Sequence, residues 1–155
     1  MRLTEKGLEL IKKHESFRNN AYQDSAGVWT IGWGNTLYAD GTHVKEGDFI
    51  YSRDASKLLE IIINKLEEGL EQVIEWDLYP YQWDAIVSLA YNIGIGAFSR
   101  STLLKKLNRD PFDPSILDEF LRWNKAGGKV LQGLIRRRKQ EAYLYNNEQP
   151  IDKYR

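Results

Sequence analysis

Residues 14–36 read HESFRNNAYQDSAGVWTIGWGNT, and within them the pattern of the chain changes character. Upstream, residues 3–14 carry Leu8, Leu10 and Ile11 among charges, a helical spacing that leaves Glu15 at the helix end. Downstream, Asn19-Asn20 and Asp24-Ser25-Ala26-Gly27 supply turn chemistry around the β-prone runs AYQ and VWTIGW. The expected structure is a small irregular hairpin following a helix, with Asp24 in the turn and Thr30 on the second strand. Trp29 should face away from Thr30 if that strand is regular.

Such a hairpin, folded back on the helix end, gathers Glu15, Asp24 and Thr30 around one cavity. The three types suit glycosidic cleavage: an acid protonates the leaving oxygen, and in an inverting reaction a second carboxylate activates water on the opposite face of the sugar. Thr30 would hold that water. The plainer reading is that an Asp before Ser-Ala-Gly only forms a turn.

The remainder reads as helix. Leu58, Leu59, Ile62, Leu66, Leu70 and Val73 recur at three- and four-residue steps across residues 52–76, with Ser52 as the expected cap. Pro80 is placed to open the next helix and Gly94 to close it. Further helices are expected over residues 99–108, 115–124 and 131–145, with Gly127-Gly128 as a break. Trp83, Phe98 and Trp123 fit core spacing.

A length of 155 residues, 42% of them hydrophobic, suits one compact domain with a real core. With no cysteine, thiol catalysis, disulfides and cysteine-based metal sites are excluded, and His14 and His43 alone make a poor metal site. Charges interrupt the N-terminal stretch every few residues, so neither a signal peptide nor a membrane anchor is expected, and the chain should stay cytoplasmic before release. Formal net charge is zero, yet it is divided: residues 40–77 hold ten acidic and four basic residues, and residues 100–139 hold eleven basic and four acidic. The basic segment either solvates helix faces or steers the chain toward an anionic surface. Arg136-Arg137-Arg138 is too short a run to argue for nucleic acid, and a pI near 6.7 argues against it.

The spacing of Glu15, Asp24 and Thr30 inside GVWTIGWGNT resembles the catalytic signature of phage-type lysozymes, the endolysins of glycoside hydrolase family twenty-four. AYNIGIGAFSRSTLLKKLN at residues 90–108 and FLRWNKAGGKVLQGLIRRRKQEAYLY at residues 120–145 are similar to the family's helical motifs, in the same order. The chain departs from the family in having Asn35 where relatives commonly have His after GYG or GWG, and in being neutral where many are basic.

The resemblance implies an α+β, lysozyme-like fold: a small β-containing lobe over residues 16–57, a helical lobe over residues 1–15 and 66–155, and a connecting helix over residues 52–76. It implies hydrolysis of the β-1,4 bond between N-acetylmuramic acid and N-acetylglucosamine in peptidoglycan, with Glu15 as acid, Asp24 as base and Thr30 positioning water. An arginine of the last helix would pair with Glu15. Trp33 and Tyr91 would line the saccharide groove, with Thr36, Asn92 and Ser101 supplying hydrogen bonds. A monomer is expected, needing no cofactor or metal, binding no nucleic acid and inserting in no membrane. Two alternatives stay open: a lytic transglycosylase using a single Glu, and a wall-binding protein that no longer turns over.

Overall fold

The computed structural model describes residues 1–149. Helix α1 (Glu5–Glu15) is followed by strands β1 (Arg18–Gln23) and β2 (Trp29–Gly32), then by helices α2 (Ser52–Val73), α3 (Pro80–Ile93), α4 (Ile95–Ser99), α5 (Thr102–Arg109) and α6 (Ile116–Leu121). A short pair, β3 (Lys125–Ala126) and β4 (Lys129–Val130), precedes helix α7 (Gln132–Tyr145). Both sheets are two-stranded and antiparallel. The expected mixed fold with a helical majority is therefore present.

Thr4 caps α1, its hydroxyl accepting from the Gly7 N–H at 3.3 Å, while Asp84 of α3 takes the Thr4 N–H at 2.9 Å. Glu67 of α2 accepts the Leu3 N–H and the Trp83 indole N–H, each at 2.8 Å. These two buried carboxylates thus fix the start of α1 against α2 and α3. At the other end Ser16 adopts φ +56°, ψ 160°, which stops the helix immediately after Glu15 and turns the chain into β1. That conformation is nearly confined to glycine and costs a residue with a Cβ about 1–3 kcal/mol.

Two apolar cores result. The larger surrounds α3, whose Trp83, Ala85, Ile86, Val87, Leu89 and Ala90 are all buried and pack with Ile11, Phe98, Leu107 and Phe120. The smaller consists of Ile31, Val44, Ile50, Ala55 and Leu58, with Trp29 packed against it. Helix α2 serves both: Ala55 and Leu58 enter the small core, Leu59, Ile63 and Leu70 the large one.

Several expected boundaries move. Helix α2 starts with Ser52 already helical and Tyr51 at the cap position, because Asn19 holds Ile50 through its carbonyl oxygen (2.8 Å) and its side-chain amide (3.0 Å) and sets the entry one residue earlier. It ends at Val73, where Asn108 accepts the Glu75 N–H at 3.0 Å and donates to the Val73 carbonyl at 2.8 Å. The helix expected over residues 99–108 begins only at Thr102, because Ser101 caps α5, accepting from the Leu104 N–H at 3.1 Å, and a separate short helix, α4, precedes it. The Gly127-Gly128 break is a hairpin turn, both glycines at positive φ (+57° and +77°), and α6 is correspondingly shorter than expected. Pro80 and Gly94 bound α3 as expected. Trp83 and Phe98 are buried; Trp123 is partly buried against the large core.

Candidate active site

A cavity of about 910 Å³ lies where the end of α1, the β1–β2 hairpin, the end of α3 and the start of α7 converge. Glu15, Asp24, Thr30, Thr36, Tyr91 and Asn92 all line it. Ser101 does not. Its hydroxyl donates to the Phe98 carbonyl at 2.6 Å and accepts from the Leu104 N–H at 3.1 Å, which caps α5. Trp33 is also absent from the lining; it packs against both cores, its ring 5.4 Å from that of Phe17.

Asp24 is held by its own loop. Its Oδ1 accepts the N–H groups of Ala26 and Val28, each at 2.9 Å, while Oδ2 has no hydrogen-bond partner among the described residues. Thr30, buried opposite Tyr22 in the hairpin register, donates its hydroxyl proton to the Val28 carbonyl at 2.9 Å. Its oxygen is left as an acceptor.

The Glu15 carboxylate is oriented from α7. Arg137 Nη1 donates to Glu15 Oε1 at 2.6 Å, and the remaining guanidinium nitrogens are anchored by Glu141 Oε1 at 3.1 Å and the Ser88 carbonyl at 3.3 Å. Arg138, fully buried, donates to Asn92 Oδ1 at 2.7 Å and to Glu141 Oε1 at 3.3 Å. Its Nε stands 2.9 Å from Glu141 Oε2 without hydrogen-bond alignment, so that contact acts by charge. Glu15, Glu141, Arg137 and Arg138 form a balanced set of two acids and two bases. Burial draws Arg138 down to about 10 against the pull of Glu141, so it stays charged at neutral pH, and burial pushes the Glu141 carboxyl up.

Tyr22, His14 and Gln140 line the cavity without having been proposed for it from the sequence, and Tyr91 has a further role there. Tyr91 donates to the Trp33 carbonyl at 2.6 Å and accepts from Asn35 Nδ2 at 2.9 Å, so Asn35 and Tyr91 clamp the turn that presents Gly34 to Glu15. Burial, then the Glu15 charge, pushes the Tyr91 hydroxyl up, and the same causes raise Tyr22, which also lines the cavity under the Arg18 guanidinium 4.4 Å from its ring centroid. His14 Nε2 and Gln140 Oε1 join α1 to α7 at 2.7 Å; burial, then Arg137, lowers His14 to about 4, so it is neutral there. No group of three or more metal-ligating side chains occurs among the described residues.

Comparison with known proteins gives a consistent picture. The Phage lysozyme family model matches residues 12–141. The endolysin of Acyrthosiphon pisum secondary endosymbiont phage 1 is 42% identical over 151 residues, 95% of this chain and 99% of that protein. The endolysin of Bacillus phage B103 is 39% identical over 94% of this chain, which spans only 54% of that relative's length. Among solved structures, a P22 lysozyme mutant superposes with a TM-score of 0.75 at 36% identity, covering 94% of this chain and 99% of its own.

Proposed function

The chain belongs to the phage lysozyme family, and from that membership we propose that it is an endolysin-type muramidase, hydrolysing the β-1,4 bond between N-acetylmuramic acid and N-acetylglucosamine in bacterial peptidoglycan. The observation that carries the reading is that Glu15, from the end of α1, and Asp24 and Thr30, from the β1–β2 hairpin, line a single cavity.

In the proposed reaction Glu15 is the general acid. Arg137 occupies Oε1, which leaves Oε2 to deliver a proton to the leaving oxygen. Asp24 is the base: with Oδ1 committed to the loop, Oδ2 takes a proton from water on the far side of the sugar. Because the Thr30 proton is committed to Val28, Thr30 offers that water only lone pairs. Water donating to both Thr30 and Asp24 turns its own lone pair toward the anomeric carbon. The outcome is inversion.

Thr36, Tyr91 and Asn92 are proposed substrate contacts. Arg138 fixes the Asn92 oxygen, so Asn92 offers the groove its amide N–H groups, suited to an acetamido carbonyl or a hydroxyl oxygen. In this reading the enzyme is monomeric, is held in the cytoplasm until release and acts on the wall without nucleic acid. Among the described residues no helix is long and apolar enough to cross a membrane.

A turbidity assay on wall-exposed bacteria, run beside Glu15→Gln, tests the proposal. Clearing by the wild type and a loss of about a hundredfold or more in the folded variant are expected, since the amide keeps the shape without an acidic proton. Wild-type clearing by Glu15→Gln would overturn the assignment. Product mass spectra lacking the anhydro sugar separate hydrolysis from transglycosylation.

A further inference from the structure

Residues 31–35 close a tight turn, in which the Ile31 and Asn35 backbones exchange hydrogen bonds at 2.8 and 2.9 Å while Gly32 and Gly34 take positive φ (+64° and +77°). Gly34 lines the cavity, and a Cβ built on it would overlap the Glu15 carboxylate at Oε2. Whatever holds this turn therefore holds one wall of the acid. Trp33, the residue before Gly34, is fastened at both ends. Its ring packs against both cores, with the Lys12 ammonium 5.3 Å from the ring centroid, and its carbonyl accepts the Tyr91 hydroxyl proton at 2.6 Å. Because a peptide unit is planar, fixing the Trp33 carbonyl also fixes the Gly34 nitrogen and Cα.

A phenol has a single proton to give. The Glu15 charge acts on the Tyr91 hydroxyl, yet the proton goes to Trp33. Asn35 accounts for that direction. Its Nδ2, which can only donate, bonds the Tyr91 oxygen at 2.9 Å and turns the phenolic proton toward the acceptor on the other side. The Asn35 Oδ1 is buried without a hydrogen-bond partner among the described residues, so the amide donor is the part of this side chain that the site uses. Asn35 is 4% exposed and does not line the cavity, so it acts through Tyr91 and not on a substrate. The Tyr91 hydroxyl, for its part, has spent its proton and a lone pair inside the protein, which leaves the ring to meet the groove.

We infer that Asn35 and Tyr91 are positioning residues for the general acid: Asn35 aims the Tyr91 proton at the Trp33 carbonyl, Tyr91 thereby pins the Trp33–Gly34 peptide, and Gly34 walls in the oxygen of Glu15 that delivers the proton. The inference rests on the muramidase reading. It separates Tyr91 from a residue whose hydroxyl binds sugar, because a lost sugar contact raises KM whereas a displaced acid lowers kcat.

The test is steady-state kinetics on soluble, peptide-stripped glycan strands, with the folded fraction of each variant measured by near-UV circular dichroism. Tyr91→Phe keeps the ring and removes the pin. Its kcat should fall on the order of ten- to a hundredfold at unchanged KM, the cost of displacing a reacting group by up to about 1 Å. Asn35→Asp is nearly isosteric but presents an acceptor where the amide donates, so it should draw the Tyr91 proton away from Trp33 and lower kcat in the same way. Asn35→His, which brings back a ring N–H donor, should recover most of the loss. A Tyr91→Phe enzyme with kcat unchanged, or with its loss confined to KM, overturns the positioning role. Equal losses in Asn35→Asp and Asn35→His overturn the part given to Asn35. Strands left uncut by the wild type overturn the muramidase reading instead, so the failures are distinguishable.

Discussion

Gly34 and Glu15 occupy adjoining space so closely that a methyl group on the glycine would overlap the carboxylate: a Cβ built there lies 2.8 Å from Glu15 Cδ and closer still to Oε2. Gly34 also sits at φ +77°, where a side chain is strained whatever the room. The acid is therefore seated between a guanidinium on one side and a bare backbone on the other.

Gly34→Ala should accordingly push Glu15 off Arg137. A displacement of about 1 Å at a reacting group costs on the order of a hundredfold in rate, and the strained backbone about 1–3 kcal/mol in stability. Lysis rates paired with thermal melts check both. Full activity at an unchanged melting temperature would show that Gly34 does not restrain the acid.

Asp24→Asn separates turn formation from base catalysis. The amide oxygen can still accept the Ala26 and Val28 N–H groups, so the hairpin and the melting temperature should persist while wall hydrolysis falls on the order of a hundredfold or more. In the wild type, the first product seen by NMR should have inverted anomeric configuration, and a substrate-bound structure should set the two carboxyl groups roughly 6.5–9.5 Å apart. Retained configuration would point to a covalent glycosyl-enzyme and remove the role given to Thr30.

His14 makes stability depend on pH in a defined window. Its folded value, about 4, lies below the ordinary 6.5, so as acid is added the unfolded chain takes up this proton first. The His14 contribution is complete above 6.5 and is lost as pH falls from 6.5 toward 4. Asp40, Asp48 and Asp113, held low chiefly by hydrogen bonds from Thr42, the Lys45 N–H and Ser115, act below that window: their contribution is present above 3.8 and lost at lower pH. Urea midpoints should thus drop between pH 7 and pH 4.5 in the wild type and drop less in His14→Gln. Equal slopes would remove the histidine from the account.

The basic segment is less free than its composition suggests. Lys106 and Arg122 flank buried Glu119, Arg109 pairs with Asp113, and Arg137 and Arg138 serve Glu141. Lys105 is exposed. Lys105→Glu should lower retention on insoluble peptidoglycan modestly, with a smaller difference at high salt, and leave short-oligosaccharide cleavage alone. Lys106→Glu would also set two carboxylates together at a partly buried site and so confuse wall binding with stability. Retention insensitive to both salt and Lys105→Glu would reduce the segment to solvated helix surface.

What the sequence made legible was local. Glu15, Asp24 and Thr30 lie within one helix end and one hairpin, so turn chemistry and strand alternation sufficed to group them. The arginine beside Glu15 is 122 positions away, and three consecutive arginines on α7 point in directions about 100° apart, so only packing chooses Arg137. The capping role of Ser101 was not read, because a capping serine and a substrate-binding serine look alike in sequence; a Ser directly before the apolar-periodic TLLKKL was the available signal for the cap. The β3–β4 hairpin has strands of two residues each, too short for any period, although Gly127-Gly128 was its mark. Gly34 could be seen only as a turn residue, since what it touches belongs to another element.

Leu58 and Leu59 are consecutive, yet one is buried in the small core and the other in the large. A rod roughly 33 Å long, at 1.5 Å per residue, is thereby shared by two packing units that have no other helix in common among the described residues. Neither unit can loosen without stripping one face of α2, and a helix so stripped has little stability of its own in water. Calorimetry should accordingly record a single endotherm whose van't Hoff and calorimetric enthalpies agree, the behaviour of one thermodynamic body with two insides.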